Sequence, residues 1–435
     1  MSGETTVIEG KATLYFASKK GVFYNPPQIP NRDLSVLALQ EFAEMWAREP
    51  LKLKPLGGRT LRQGPAAPEA SSAGTASTDA VAAAEPAAAA DAEPAERDAP
   101  VAEEAATATA PTRPGLRVLD ALSASGLRAM RYSLEVPSLR EVVANDVDPV
   151  AVATMRNNFE RNGLSEPAVV SHVGDACALL HASRPPSGER FDVVDLDPYG
   201  TATPFLDSAV QAVSDGGMLM VTCTDMAVLA GAYPEACYAK YGAYSLKGKH
   251  CHEQGLRILL GCIDSHAARH GRYITPLLSV HINFYVRVFV RVQTGKAAVK
   301  LSPTKVSYLY QCSGCDSFAL QPVAKVTDKE SHEKVTPGAG PPVNRNCEHC
   351  GRVHHVGGPL WTAPIHDTPF VEALLGRLTS EGGEAFGAQK RLIGMLTSVL
   401  EEVPDMPLFT NLAQMCSTLH LPCPQISQVL LKHLS

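Results

Sequence analysis

The residues best suited to chemistry lie where an apolar run meets a turn. The run from Phe191 to Leu196 predicts a buried strand, and Asp197-Pro198-Tyr199-Gly200 follows it directly. At such a position Asp197 can accept a hydrogen bond from the amino group of a flat, nitrogen-bearing ring, while the ring stacks on Tyr199. Asp, Pro and Gly are also common turn residues, so an ordinary turn at a strand end is the alternative interpretation.

Three further acids, Asp120, Asp146 and Asp175, end other predicted strands. Strands and helices alternate from residue 115 to residue 222, which predicts a parallel sheet covered on both faces. Ligands bind beyond the carboxyl ends of such strands, so the four acids define a polar crevice. The loop after Asp120 contains one glycine, Gly126, and therefore lacks the dinucleotide fingerprint. A carboxylate at the end of the second strand suits a ribose diol, which favours a small nucleoside cofactor without pyrophosphate over NAD.

Other periodic stretches complete an α/β chain. The alternating run from Leu278 to Val292 is strand-like and is expected to close the sheet. The predicted helices are 34–48, 149–161, 204–213, 388–401 and 410–434. The cluster His250-Cys251-His252-Glu253 begins a further helix and has no partner pair of metal-ligating residues of the C-x-x-C kind. We therefore interpret its side chains as packing or capping residues.

Four of the eleven cysteines form two C-x-x-C pairs, Cys312/Cys315 and Cys347/Cys350. Two such knuckles commonly present four thiolates to a structural zinc ion, and four reduced thiols are the alternative. The gap between the pairs, residues 316–346, is longer than usual, so we expect an insertion there. An odd number of cysteines without a secretory signal argues against a disulfide framework.

Composition and charge indicate a globular protein with an irregular insertion. The chain has 435 residues, 45% of them apolar, which predicts two domains. It shows no membrane segment, signal peptide or Arg-rich leader, so we expect an intracellular protein. Residues 64–114 contain nine acidic and two basic residues and lack Leu, Ile, Met and aromatics, which predicts a disordered segment. The whole chain has a net charge of −6 and this segment one of −7, so the remainder carries +1. Such a balance permits a local basic groove.

Together these residues resemble the eukaryotic and archaeal tRNA (guanine-N2)-dimethyltransferases, which use S-adenosylmethionine. The matching stretches run in order along the chain, interrupted only by the insertion, and include both cysteine knuckles. The others are Glu9–Ala12, Val22–Pro26, Asn31–Ser35, Asp120–Arg128, Ala144–Asp146, Asp195–Gly200, Thr222–Asp225, Lys240–Gly242 and Cys251–Glu253. One departure is Thr201-Ala202-Thr203, where relatives commonly have Ser-Pro.

The resemblance implies a Rossmann-like class I methyltransferase sheet with a C-terminal, zinc-containing α+β domain. The expected domains are an N-terminal substrate- and cofactor-contacting segment (1–63), the insertion (64–114), the methyltransferase core (115–300) and a zinc-binding, helical, tRNA-binding domain (301–435). It also implies a cofactor set for S-adenosylmethionine, namely Arg32, Arg128, Asp146, Asp175 and Ala176. Asp197 is implied as the catalytic carboxylate, with Phe23 and Tyr199 flanking the target guanine.

The implied activity is methylation, once and twice, of N2 of guanosine 26 in tRNA. One alternative is a nucleic-acid adenine N6-methyltransferase, whose motif usually carries two prolines before the aromatic, where this chain has only Pro198. The other alternative is a tRNA-binding pseudoenzyme, against which the intact acids argue. We further expect tRNA as the partner, no membrane association, a monomer, and a location in the nucleus or the mitochondrion.

Overall fold

Strands and helices alternate along most of the chain. The structure is a computed structural model that describes residues 5–16, 24–49, 113–329, 332–380, 383–418 and 420–425. The strands are β1 (Thr5–Glu9), β2 (Ala12–Phe16), β3 (Leu116–Asp120), β4 (Leu139–Asp146), β5 (Val169–Val173), β6 (Phe191–Leu196), β7 (Val213–Cys223), β8 (Arg272–Ile282), β9 (Tyr285–Thr294), β10 (Val306–Cys312), β11 (Phe318–Pro322), β12 (Ala324–Lys329), β13 (His332–Pro337) and β14 (His354–Trp361).

The helices range from about one turn to about five and a half turns in length. They are α1 (Ile29–Arg48), α2 (Leu127–Glu135), α3 (Pro149–Arg161), α4 (Ala176–Ala182), α5 (Thr203–Ala212), α6 (Met226–Leu229), α7 (Pro234–Tyr241), α8 (Cys251–Arg269), α9 (Lys296–Lys300), α10 (Thr368–Thr379), α11 (Gln389–Leu400) and α12 (Leu412–Thr418). Short 3-10 helices span Pro26–Gln28, Ser302–Lys305 and Gly383–Ala385. No helix among the described residues has the length and apolar character needed to cross a bilayer.

A seven-stranded sheet forms the centre, with the strand order β5-β4-β3-β6-β7-β9-β8. Only β9 runs opposite to the others. The order reverses between β3 and β6, so the carboxyl ends of these two strands flank the switch point at which doubly wound sheets bind ligands. This topology confirms the predicted Rossmann-like parallel sheet.

Helices cover both faces of the sheet, because successive strand residues point to opposite sides. On β3, Val118 packs into the core under α1, α2, α3, α10 and α11, whereas the adjacent Leu119 packs into the core under α4, α5 and α8. Both side chains are completely buried. Full burial on each face explains why the strands read as near-continuous apolar runs rather than as alternating patterns.

The predicted closing strand is a hairpin rather than a single strand. β8 and β9 pair antiparallel around Asn283 and Phe284, and Asn283 has a φ of +54°. Asparagine tolerates this left-handed conformation better than most residues, which permits the tight reversal. The reversal inserts β9 between β7 and β8 and places Arg287 opposite Thr222, close to the carboxyl ends of the parallel strands.

The C-terminal part is a smaller α+β region. β10 lies between β11 and β14, and β12 and β13 form a separate hairpin. The predicted helix over 388–401 is present as α11. The predicted helix over 410–434 is wrong in extent: it ends at Thr418, residues 420–425 are not helical, and residues 426–435 lie outside the described residues. Pro422 and Pro424 lack the N–H that a helix requires at these positions.

The chain divides into residues 1–48 with 114–435, which form a compact unit, and residues 49–113. The second contains nearly all of the predicted disordered segment, of which only Arg113 and Pro114 belong to the described residues. In the first, α1 begins at Ile29, five residues before the predicted start at Leu34. The predicted domain boundary at residue 300 stays a prediction.

Candidate active site

The carboxyl edge of the sheet carries the predicted acids. Asp120 ends β3, Asp146 ends β4, Asp175 precedes α4 and Asp197 follows β6. The ends of β3 and β6 are neighbours, since Asp120 is paired with Asp195 in the parallel ladder. The structure therefore brings the strand-end acids to one edge, as the sequence predicted.

Asp197 contacts Arg128, which lies on the first turn of α2. Arg128 Nη2 donates to Asp197 Oδ2, and Arg128 Nη1 donates to Asp195 Oδ2 at 2.9 Å. The guanidinium is buried beside both carboxylates, and Asp197 retains partial exposure toward the crevice. One arginine thus orients the predicted catalytic carboxylate and leaves its second oxygen for other partners. The predicted cofactor role of Arg128 stays a prediction.

Asp195 anchors this arrangement from the interior of the sheet. It is completely buried, accepting hydrogen bonds from Arg287 Nη1 at 2.8 Å and Tyr132 Oη at 2.6 Å in addition to Arg128. Burial raises the pKa of Asp195, but the charges of Arg287 and Arg128 outweigh it and hold that pKa well below its usual range. Arg287 also donates to Thr222 Oγ1 and, across to α1, to Ser35 Oγ.

The sequence reasoning missed Asp195 as a network member, although one signal was available. A charged residue within an otherwise apolar strand must be paired when buried, because an unpaired charge costs several kcal/mol. Both Asp195 in β6 and Arg287 in β9 satisfy that description. Whether Asp195 and Arg287 pair with each other depends on the strand order, and a local sequence pattern does not contain that information.

We expect Arg287→Met to destabilise the fold and to misplace Arg128. Losing one partner of a buried ion pair costs about 3–5 kcal/mol, and a shift of about 1 Å at the reacting groups can lower a rate by about 10²-fold. Arg272→Met is the matched control. Arg272 is also buried, but it donates to backbone carbonyls at the amino edge of the sheet. Its loss should lower the melting temperature comparably and leave the activity of the folded protein unchanged. Equal rates in the two variants at a temperature where both are folded would refute the network's role.

The turn bearing Tyr199 is fixed from the end of β7. Gly200 N donates to Thr224 Oγ1 at 2.8 Å, and Thr224 N donates to Gly200 O at 2.8 Å. Gly200 has a φ of +75°, a conformation that residues with a Cβ adopt only with strain. Tyr199 is 77% exposed, so its ring is not part of the hydrophobic core. A large ring on a rigid turn beside a carboxylate can form one face of a base-binding pocket.

The loop after β3 lies between the ends of β3 and β4. Ser123 Oγ donates to Asp120 Oδ2 at 2.6 Å, and Ala124 N donates to Asp146 Oδ2 at 2.9 Å. A Cβ at Gly126, whose φ is +78°, would lie 2.6 Å from Met155 Cγ, so the loop packs against α3 only with glycine there. Burial, opposed by the charge of Arg128, raises the pKa of Asp120 to about 7.

The other cofactor candidates lie at two separate places. Asp175 caps α4 by accepting from Ala178 N at 2.8 Å, and Ala176 is the buried first residue of that helix. Arg32 lies buried on α1 and donates to both carboxylate oxygens of Glu9 at 2.6 Å. Its guanidinium is thereby held in an ion pair that the sequence reasoning did not anticipate. Phe23 lies outside the described residues.

The four predicted zinc ligands converge. Their sulfur atoms all lie within 4.8 Å of one another, with 3.3 Å between Cys312 Sγ and Cys350 Sγ and 3.7 Å between Cys315 Sγ and Cys347 Sγ. Tetrahedral zinc with Zn–S bonds of about 2.3 Å separates its sulfur ligands by about 3.8 Å, so the cluster fits this ion. Among the described residues it is the only such group that could hold a metal.

The knuckles are positioned by the strands around them. Cys312 ends β10 and pairs with His354 at the start of β14, which brings the two cysteine pairs together. The long gap between them contains β11 and the β12–β13 hairpin, which confirms the predicted insertion. In the His250–Glu253 cluster, the His250 ring packs against Phe318 with 5.2 Å between centroids, and Glu253 accepts hydrogen bonds from Arg257 Nε and Leu408 N, in agreement with their interpretation as packing residues.

The sheet topology and the strand-end carboxylates define a Rossmann-like methyltransferase fold. The family model described as N2,N2-dimethylguanosine tRNA methyltransferase matches residues 3–435. The chain therefore belongs to this family.

Individual relatives agree with this assignment. The chain is 46% identical to tRNA (guanine(26)-N(2))-dimethyltransferase 1 of Arabidopsis thaliana over 97% of this chain and 70% of that protein. It is 45% identical to tRNA (guanine(26)-N(2))-dimethyltransferase of Mus musculus over 98% of this chain and 62% of that protein. The structure of Trm1 from Pyrococcus horikoshii with S-adenosyl-L-methionine superimposes with a TM-score of 0.70 and 25% identity, covering 98% of this chain and 91% of that one. The chain thus spans less than three quarters of either curated relative.

Proposed function

We propose that this chain transfers methyl groups from S-adenosylmethionine to the exocyclic N2 of guanosine 26 in tRNA, once and then a second time. The observation that carries the proposal is the pairing of Asp197, oriented by Arg128, with Tyr199 on the fixed turn beside it. Family membership supports the substrate, since the relatives named above are guanine-26 N2-dimethyltransferases.

The charges of the site fit the proposed cofactor. Asp120, Asp146 and Asp197 lie at neighbouring strand ends, and Arg128 is the one cation that the described contacts place on Asp197. S-adenosylmethionine carries positive charge on its sulfur and on its amino group, and when bound it supplies an activated methyl group. Asp146 is held in place by N–H groups of Ala124 and Asp148 and is assigned to the ribose hydroxyls.

Asp197 is proposed to act on the amine of the substrate. The lone pair of guanine N2 is delocalised into the ring, which makes this nitrogen a poor nucleophile. A carboxylate that accepts one N2–H hydrogen bond draws the nitrogen toward tetrahedral geometry, frees the lone pair and takes up the proton as the N–C bond forms. Arg128 keeps the carboxylate aimed, and stacking on Tyr199 holds the guanine plane in line. A second round needs the same contacts, because the singly methylated amine retains one N–H.

The direct test is incubation of the protein with unmodified tRNA and isotopically labelled S-adenosylmethionine, followed by mass spectrometry of the nucleosides. N2-methylguanosine and N2,N2-dimethylguanosine at position 26 are the expected products. A labelled N6-methyladenosine would support the adenine alternative instead, and tRNA binding without any labelled nucleoside would support the pseudoenzyme alternative.

We predict that Tyr199→Ala weakens guanine binding rather than the fold. Loss of one stacking face costs roughly 1–3 kcal/mol per base. The exposed position of Tyr199 means that little core packing is lost, so the melting temperature should change only slightly. Tyr199→Phe keeps the ring and serves as the control, with near wild-type methylation. A large fall in melting temperature that accounts for the lost activity of Tyr199→Ala would contradict the stacking role.

Three finer assignments accompany this proposal. tRNA is the expected partner, the expected oligomeric state is a monomer, and the expected compartment is the nucleus or the mitochondrion. Size-exclusion chromatography with light scattering, and imaging of the tagged protein, test the last two.

A further inference from the structure

A cavity of about 820 Å³ opens between α8, the end of β8 and the C-terminal part of the chain. We call it the edge cavity; its lining includes His252, His281, His366, Phe318, Met406 and Phe409. His281 lies at the carboxyl end of β8, which runs parallel to β6 and β7, and His252 lies on the first turn of α8. The cavity therefore lies at the same edge of the sheet as Asp197. At about 4.8 Å per strand, three strand steps separate β6 and β8 by about 14 Å.

Two histidine rings form a stacked pair in this cavity. The rings of His252 and His281 have centroids 3.9 Å apart and planes only 12° from parallel. His252 is exposed and covers the half-buried His281. Burial, and then the neighbouring His252, lower the pKa of His281 to about 4, so the inner ring is neutral at physiological pH. The pair is therefore a flat aromatic platform whose outer face is open.

The pair does not form a metal site with a third ligand. Parallel rings do not direct their nitrogens toward one point, and among the described residues the cysteine cluster alone has metal-ligand spacing. The family motif at Cys251–Glu253 thus contains an aromatic surface to which the methylation chemistry assigns no role.

The rest of the lining suits a flat ring with polar edges. Phe409 and Met406 present apolar surface at 49% and 67% exposure. Both acids of the cavity are paired: Glu253 accepts from Arg257 Nε and Leu408 N, and Glu402 contacts His366 Nε2 at 3.2 Å. The charge of Arg257 offsets that of Glu253, which reduces the repulsion of a nearby phosphate chain. Proteins bind unstacked RNA bases on histidine and other aromatic rings in such settings.

We propose that the edge cavity binds a second nucleobase of the RNA substrate, stacked on the outer face of His252. The inference rests on the proposed function, because extraction of the target base unstacks its neighbours and frees them for new contacts. The strand spacing is suitable, since the separation of about 14 Å between β6 and β8 corresponds to roughly four stacked nucleotides at about 3.4 Å per step and to fewer in an extended strand. The two sites together would hold the RNA on both sides of the reacting nucleotide.

The test uses three variants of the whole chain and unmodified tRNA. His252→Ala removes the platform, His252→Phe keeps a flat ring, and His270→Ala is the control at the other end of α8, about 27 Å away along the helix. tRNA dissociation constants come from fluorescence titration, S-adenosylmethionine affinity from calorimetry, and kcat from methylation at saturating tRNA.

We expect His252→Ala to weaken tRNA binding by roughly 5- to 150-fold, the factor that corresponds to one stacked base. Affinity for S-adenosylmethionine, kcat at saturating tRNA and melting temperature should stay within twofold or a few degrees of wild type. His252→Phe should bind tRNA as the wild type does, and so should His270→Ala. Unchanged tRNA affinity in His252→Ala would refute the stacking role of His252. So would an equal loss of tRNA affinity in the alanine and phenylalanine variants. Failure of the proposed function would be distinguishable from failure of the stacking role, because the wild-type protein itself would then give no methylated guanosine.

Discussion

Asp197→Asn should lower the rate of methyl transfer by roughly 10²–10⁴-fold, the range typical of a lost proton acceptor. The amide keeps the shape of the side chain but removes its charge. It also replaces one carboxylate oxygen with an N–H₂ group. That group must face a donor, which is either the guanine amine or Arg128. Two donors then face each other, so the substrate nitrogen loses the partner that draws it toward tetrahedral geometry. Single-turnover assays with saturating S-adenosylmethionine and tRNA measure the step directly.

A matched control separates this effect from the loss of an acid in general. Asp207 on α5 is also an acid in contact with a basic side chain, with 2.9 Å between its Oδ1 and His270 Nε2, and it is partly exposed. Asp207→Asn should leave the methylation rate within a factor of about two, as surface substitutions usually do. Cofactor affinity should be nearly unchanged in both variants. A wild-type single-turnover rate for Asp197→Asn would remove Asp197 from the chemistry.

Local patterns predicted the elements that carry the site. The helix from Pro149 to Arg161 has the predicted bounds, because proline occupies its first position and Asp148 caps it. Asp120, Asp146 and Asp197 could be placed at one edge for a similar reason. Each follows an apolar run, and parallel strands deliver their carboxyl ends to the same side of a sheet.

Long-range pairing was beyond the reach of such patterns. Asp195 and Arg287 are 92 residues apart, and they meet only because the β8–β9 reversal inserts β9 next to β7. The sequence pattern predicts one strand, because its alternation continues through Asn283 and Phe284 almost without interruption. The ion pair between Glu9 and Arg32 depends in the same way on how the N-terminal hairpin meets α1.

The zinc centre shows the same division between local and distant information. The C-x-x-C spacing predicted which thiols converge, because each knuckle is a local turn with fixed geometry. It could not predict that β10 pairs with β14 and so closes the cluster across a 31-residue gap. The hairpin β12–β13 within that gap was predicted only as an insertion of unspecified structure.

Removal of zinc should unfold the C-terminal module. Structural zinc sites contribute apparent binding free energies of about 10–16 kcal/mol at pH 7, and this binding energy is folding energy. Cys347→Ser should therefore lower the zinc content from one ion per chain to a small fraction, as measured by elemental analysis. Cys177→Ser, which alters a half-buried thiol outside the cluster, should retain the metal and the wild-type melting curve.

The consequences of zinc loss should extend beyond the four thiols. Arg257 on α8 donates to the backbone carbonyls of Trp361 and Ala363 at 3.1 Å, so the end of β14 is joined to the helix that covers the central sheet. Trp361 is almost completely buried there. When the cluster opens, β14 loses its pairing with β10, and these buried contacts lose their support. We expect chelation to shift the melting temperature of the whole protein and to abolish methylation, with both restored by added zinc. A chelated protein that keeps its melting curve and contains no zinc would contradict a structural role for the ion.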